Sequence, residues 1–310
     1  MSSLLLAYVA NNVSNDLIVA GPTSDQQWGL APSVQVTGPQ SSQTTPALAV
    51  LDNTLVLAYV ANNSSNDLLV TTSRDNGSTW TASARVNTQS SKTAPALAVL
   101  ADGLVNTLVL AYVANNESND LLVTKSSDGG STWTAGARVS TQSSKTAPAL
   151  AVLDNTLILA YVANNSSNDL VVTKSGDGGS TWSASPGVNG QSSQTAPAFA
   201  VIPNGAANTL LVLAYVANNS SNDLLVTTSS DGGSTWTPSA RVNTESSKTA
   251  PALSPLGGGG LILAYVANNS SNDLLTTVSE FGTGWSFSRR VSTQSSKMAP
   301  ALAVLDFTVP

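Results

Sequence analysis

Apolar residues fall in short runs separated by turn-formers, and the same order of runs returns along the whole chain. In one complete unit Ala96 to Leu100 is apolar, Thr107 to Ala114 (TLVLAYVA) is apolar and β-branched, Leu121 to Thr124 is apolar again, and Trp133 to Val139 alternates. Gly, Asn, Asp and Ser separate the runs, and none has helical length or period, so each unit predicts four short strands. A run such as Leu55 to Ala61, apolar at successive positions, has to be covered on both faces, as happens when four-stranded sheets stack radially around an axis.

The unit occurs six times. AYVANN returns with its tyrosine at Tyr8, Tyr59, Tyr112, Tyr161, Tyr215 and Tyr265, and one tryptophan follows in each unit, at Trp28, Trp80, Trp133, Trp182, Trp236 and Trp285. Residues 298–310 read as a first strand, whereas the amino terminus begins with LLLAYV, a second strand. Joined, the two ends complete one blade and leave no open edge. The expectation is an all-β, six-bladed β-propeller with four antiparallel strands per blade. Residues 1–310 form one domain of six repeats of about 50 residues.

Four segments, Ser73 to Trp80, Ser126 to Trp133, Ser175 to Trp182 and Ser229 to Trp236, read S-x-D-x-G-x-T-W. They resemble the Asp-box of sialidases and of related bacterial and fungal propeller lectins. Ser24 to Trp28 and Ser279 to Trp285 are degenerate copies. The resemblance implies a hairpin turn between the third and fourth strands, with Asp and Ser on turn amides, Gly at positive φ and Trp packed below. No chemistry is therefore assigned to Asp75, Asp128, Asp177 or Asp231.

Up-and-down connectivity places the loops between second and third strands on one face with the linkers between blades, opposite the Asp-box turns. The loops contribute Asn11, Asn12, Asn15 and Asp16; Asn62, Asn63, Asn66 and Asp67; Asn115, Asn116, Asn119 and Asp120. In the second half they contribute Asn164, Asn165, Asn168 and Asp169; Asn218, Asn219, Asn222 and Asp223; Asn268, Asn269, Asn272 and Asp273. The linkers add Ser91 and Lys92, Ser144 and Lys145, Ser247 and Lys248, and Ser296 and Lys297, with Gln43 and Gln194 in the lysine place of the other two. Planar amides and carboxylates satisfy vicinal hydroxyls in pairs, so this face suits a neutral glycan held between adjacent blades. Asn and Asp also close turns on their own backbone, which explains the same residues without a ligand. The indels in the first hairpin turn, Leu100 to Thr107 and Ile202 to Thr209, are expected beside the Asp-boxes.

Composition removes whole classes of chemistry. No Cys and no His leaves no Ser-His-Asp or Cys-His nucleophile and no imidazole or thiolate zinc site. Twelve Lys and Arg, scattered among eighteen Asp and Glu, give a formal charge of −6 and no footprint for nucleic acid. One carboxylate per blade is thin for calcium, which takes about six to eight oxygens, so neither metal nor cofactor is expected. No apolar run approaches the roughly 20 residues of a membrane span. With no basic leader before Leu4, the chain reads as soluble, cytoplasmic or exported by a non-classical route.

Three functions remain in view. A sialidase, implied by the Asp-box, needs three converging arginines, a tyrosine and glutamate pair and an aspartate. Here Arg85, Arg138, Arg241 and Arg290 sit in outer strands, the tyrosines repeat in buried strands, and Glu117, Glu245 and Glu280 fall in unrelated loops. A multivalent, non-catalytic lectin needs no unique residue and gains from repetition; the resemblance extends this to sugars of fucose or N-acetylglucosamine type. A scaffold, or a designed symmetric ring without ligand, is the third reading, and a homo-oligomer is left open.

Overall fold

The computed structural model describes residues 2–20, 34–36, 40–101, 105–184, 186–203 and 209–306. Twenty-four strands follow one another. They begin with β1 (Ser2–Val9), β2 (Leu17–Ala20) and β3 (Val34–Gln35). Next come β4 (Ala47–Leu51), β5 (Thr54–Val60), β6 (Asp67–Ser73) and β7 (Ala84–Ser90), then β8 (Ala96–Ala101), β9 (Asn106–Val113), β10 (Asp120–Ser126) and β11 (Ala137–Ser143). The second half holds β12 (Ala149–Leu153), β13 (Thr156–Val162), β14 (Asp169–Ser175) and β15 (Gly187–Ser192), and β16 (Ala198–Pro203), β17 (Thr209–Val216), β18 (Asp223–Ser229) and β19 (Ala240–Ser246). The last are β20 (Ala252–Gly257), β21 (Gly260–Val266), β22 (Asp273–Glu280), β23 (Arg289–Ser295) and β24 (Ala301–Asp306).

They form six four-stranded antiparallel sheets, each in chain order except one. That blade has the order β24-β1-β2-β3, with Leu5 opposite Ala303 and Ala7 opposite Ala301. The carboxy-terminal strand is thus the inner strand of the first blade, and the ring closes without an edge. First strands touch their neighbours around the axis, β4 with β8, β8 with β12, and so on to β24 with β4.

The uninterrupted apolar character of the second strands follows from this stacking. In β9, Leu108, Leu110 and Tyr112 pack on Val56, Ala58 and Val60 of the preceding blade. Val109, Ala111 and Val113 pack on Leu157, Leu159 and Tyr161 of the next. Six such clusters fill the six gaps between blades. Each fully buried leucine contributes about 1.5–3 kcal/mol by leaving water. The fourth strands are covered on one side only. In β7 only Val86 is buried, which accounts for its alternation.

The Asp-boxes stand where the sequence places them. Ser73 Oγ donates to Asp75 Oδ1 at 2.8 Å and accepts from Gly77 N at 2.9 Å. Thr79 donates through N at 2.8 Å and through Oγ1 at 2.5 Å to the two oxygens of Asp75. Trp80 Nε1 donates to the Gly77 carbonyl at 3.0 Å. Gly77 has φ of +85°, a region that favours glycine. These bonds, Thr79 foremost, hold the Asp75 carboxyl down at about 2, and the equivalent bonds of Thr132 and Ser126 do the same for Asp128. The first-blade copy, Ser24 to Trp28, lies outside the described residues, as do 102–104 and 204–208 of the two long hairpin turns.

Candidate functional site

The loops between second and third strands meet the linkers between blades on one face. Asn62 N donates to the Ser41 carbonyl at 3.1 Å, and Ser91 N to the Asn66 carbonyl at 3.1 Å. Each place where a linker enters a blade is a junction, and six surround the ring.

Within a loop the four predicted residues have different fates. The first asparagine, Asn11, Asn62, Asn115, Asn164, Asn218 or Asn268, is exposed and its side-chain amide makes no hydrogen bond among the described residues. The second is spent on the turn. Asn63 Oδ1 accepts from Asp67 N at 3.3 Å and its Nδ2 donates to Asp67 Oδ2 at 3.1 Å. Asn12, Asn116, Asn165, Asn219 and Asn269 repeat the amide contact with their aspartates at 2.7–3.1 Å. The third asparagine, Asn15, Asn66, Asn119, Asn168, Asn222 or Asn272, holds φ between +52° and +56°, which Asn tolerates through local hydrogen bonding. The bland reading of turn chemistry thus holds for the second and third positions.

Four of the six aspartates are also committed, to arginines of the outer strands. Arg85 Nη2 meets Asp67 Oδ1 at 2.5 Å, and Arg138 with Asp120, Arg241 with Asp223 and Arg290 with Asp273 repeat the pair at 2.5–2.6 Å. The register between third and fourth strands slips between Asp67 and Leu69, so Arg85 lies opposite Leu69 and reaches back to Asp67. Outer-strand arginines therefore belong to the loop face, a role absent from the predicted site. The available signal was the constant interval of 18 residues from Asp to Arg in three of the four pairs. The Arg85 side chain is 53% exposed and that of Asp67 only 15%, so the guanidinium, more than the carboxylate, faces solvent.

The linker residues divide. Ser91, Ser144, Ser247 and Ser296 are fully buried. Each donates to a strand carbonyl, as Ser91 Oγ does to Val113 O at 2.9 Å and to Thr93 O at 2.8 Å. The expectation that these serines face a ligand is corrected: they stitch linker to blade. The lysines are exposed. Lys92 Nζ donates to the Asn116 carbonyl and to Asn119 Oδ1 at 2.9 Å, Lys145 reaches Asn168 Oδ1 at 2.6 Å, and Lys248 reaches the Asn269 carbonyl and Asn272 Oδ1 at 3.0 Å. Lys297 approaches the Asn12 carbonyl at 3.5 Å, and Gln43 replaces lysine on the Asn63 carbonyl at 2.9 Å. One continuous chain, Lys92 to Asn116 to Asp120 to Arg138, spans the junction into the third blade.

Charge is matched at these junctions. Arg85, Arg138, Arg241, Arg290 and the four linker lysines face the six loop aspartates together with Glu117 and Glu245, eight of each sign. The whole formal charge of −6 therefore belongs to residues outside the junctions. Glu245 begins the linker into the sixth blade. It stands where other linkers carry Gln40, Gln89, Gln142 or Gln191, each bonded by a tyrosine hydroxyl, and it bonds Tyr265. Burial first, then Glu245, pushes the Tyr265 hydroxyl up. Tyr112 is pushed up by burial alone.

Two clefts open on the opposite face, of about 1200 Å³ between the second and third blades and about 590 Å³ between the third and fourth. They are lined by Asp-box residues such as Asp128 and Asp177, whose oxygens are already taken by their own turns. Arg74 lines the first cleft and Lys125 the second, one cation in each.

The architecture and the four Asp-box turns at Asp75, Asp128, Asp177 and Asp231 define an Asp-box propeller. The chain belongs to the BNR repeat-like domain family, which matches residues 18–299. No curated protein sequence matches it. Among solved structures it is similar to a fungal lectin from Aleuria aurantia, a six-bladed propeller that recognises fucose, at 16% identity over 96% of this chain and 97% of that one, TM-score 0.67. AofleA from Arthrobotrys oligospora is similar at 11% identity over 97% and 88%, TM-score 0.65. NanB sialidase from Streptococcus pneumoniae is similar at 11% identity over 83% and 63%, TM-score 0.59.

Proposed function

We propose that this protein is a non-catalytic, multivalent lectin that holds neutral glycans at the junctions between blades, on the loop face. The observation that carries this is a repeated polar set on one face: the first asparagine of each loop, exposed and with its side-chain amide unbonded among the described residues, a linker lysine or glutamine in each junction, and in four blades a half-exposed arginine that spends one nitrogen on its aspartate. Such groups bond sugar hydroxyls in pairs, and local charge balance favours an uncharged ligand over an acidic one. Similar folds support the reading: the Aleuria aurantia lectin has been seen with a methyl fucoside and with a fucosyl N-acetylglucosamine. A mutant of AofleA with three arginines changed to alanine has the same fold, and here arginine also repeats from blade to blade. Sites of modest individual affinity gain strength when several engage one glycan-coated surface.

A hydrolase reading has one observation in its favour, the contact between Glu245 and Tyr265. A phenol acting as nucleophile needs a lowered pKa. Tyr265 is fully buried and pushed the other way, so the lectin is the better account. A glycan array with the purified chain, followed by calorimetric stoichiometry on the best ligand, tests it. Several sites per chain are expected, abolished when Asn62 and its five counterparts are changed together to alanine. A blank array, or cleavage of a sialoside, overturns it.

A further inference from the structure

We infer that the six junctions are of three kinds, each present twice at opposite points of the ring, and that the pair entering the third and sixth blades binds neutral saccharide most tightly. This rests on the lectin reading above and gives its sites a rank.

The junctions entering the second and fifth blades hold an arginine and a glutamine. Arg85 pairs with Asp67 and Gln43 reaches the Asn63 carbonyl; Arg241 pairs with Asp223 and Gln194 reaches the Asn219 carbonyl. Those entering the fourth and first hold a lysine and no arginine. Gly187 lies opposite Val171 and Gln35 opposite Ile18, in the register where the others place arginine, while Lys145 and Lys297 stand in the linkers. Only the third and sixth receive both cations, Lys92 with Arg138 and Lys248 with Arg290. Blades follow chain order around the closed ring, so junctions three apart face each other across the axis.

The two-cation junctions are also the two that carry an extra carboxylate, Glu117 in the loop of the third blade and Glu245 in the linker to the sixth. Charged donors are doubled there while the net charge stays at zero. A lysine ammonium has three N–H groups, and Lys92 spends two on Asn116 and Asn119. Arg138 spends one nitrogen on Asp120 with its side chain 56% exposed. Each such junction therefore offers a sugar two charged donors beside one neutral amide. Hydrogen bonds from charged donors are roughly twice as strong as neutral ones.

Calorimetric and NMR titration with methyl α-L-fucoside and with the methyl glycoside of N-acetylglucosamine tests this. A tight class of two sites per chain is expected above a looser class. Lys92→Gln with Lys248→Gln reproduces the glutamine that two junctions already carry, so the fold has a natural precedent for it. It should weaken the tight class about tenfold into the looser one. Lys145→Gln with Lys297→Gln should weaken only the looser class. One uniform class in the wild type, or loss of the tight class in the second variant, overturns the ranking while leaving the lectin intact. Binding of neither sugar, with a blank array, overturns both.

Discussion

Arg138 and Asp120, 18 residues apart in sequence, meet at 2.5 Å where the third and fourth strands of a blade slip register. The arginine is half-exposed, and such pairs contribute about 0–1 kcal/mol. Its repetition in four blades is therefore poorly explained by stability.

Changing Arg85, Arg138, Arg241 and Arg290 together to glutamine, the residue at position 35 in the first blade, separates the two roles. Urea unfolding should shift by no more than about 1 kcal/mol per pair. Glycan affinity should fall about tenfold at the affected junctions, since a charged donor is lost. A large loss of stability with unchanged affinity would make the pairs structural.

Ser91 supplies the converse case. Its buried hydroxyl bridges Val113 O and Thr93 O; Val113 O keeps the Lys92 N–H, so Ser91→Ala should cost roughly 1–3 kcal/mol, chiefly for the Thr93 carbonyl left without that donor. The intrinsic affinity of the remaining sites should not change. Equilibrium unfolding and titration of the same variant check both halves.

Ser91 and Arg138 also mark the limit of what the sequence reveals. Blade number, strand order and ring closure are legible because packing forces Leu110 and Ala111 to be apolar on both faces, and that requirement is written into every second strand. The Asp-boxes are legible because Gly77 bonds Ser73 and Thr79 bonds Asp75, each four residues back within one short turn. Ser91 is not, since a serine in a polar linker looks the same whether it bonds two carbonyls or faces water. Arg138 is hidden for a different reason. A strict alternation of sides gives its direction on an ideal strand, and the bulge between Asp120 and Leu122 changes which residues it meets. The contact of Glu245 with Tyr265 is hidden because the tyrosine comes from the next blade.

The Asp-box carboxylates set an acid limit. Asp75 and Asp128 sit at about 2 in the folded chain against an ordinary value of 3.8. A depressed carboxyl contributes stability that is complete above the unfolded value and is lost as pH falls through the folded one. Melting temperature should therefore decline from about pH 4 down to about pH 2. Asp75→Asn with Asp128→Asn should flatten that decline while lowering stability at neutral pH. An unchanged slope would remove these two boxes from the acid response.

Tyr265 and Glu245 set the alkaline limit. A phenol raised in the folded state contributes stability that is complete below its unfolded value near 10 and is lost as pH climbs above it. Glu245 raises Tyr265 both as the acceptor of its hydrogen bond and as a neighbouring negative charge. Glu245→Gln restores the residue that the linkers carry at Gln89 and Gln142, keeps an acceptor for the hydroxyl and removes the charge. Ultraviolet titration should then show one of the six tyrosines ionising at lower pH than in the wild type, with the other five unmoved. The variant should fold normally at neutral pH, since Tyr112 and Tyr161 already bond glutamine in the same place. If all six tyrosines titrate as before, burial alone governs Tyr265 and the glutamate contributes nothing to it.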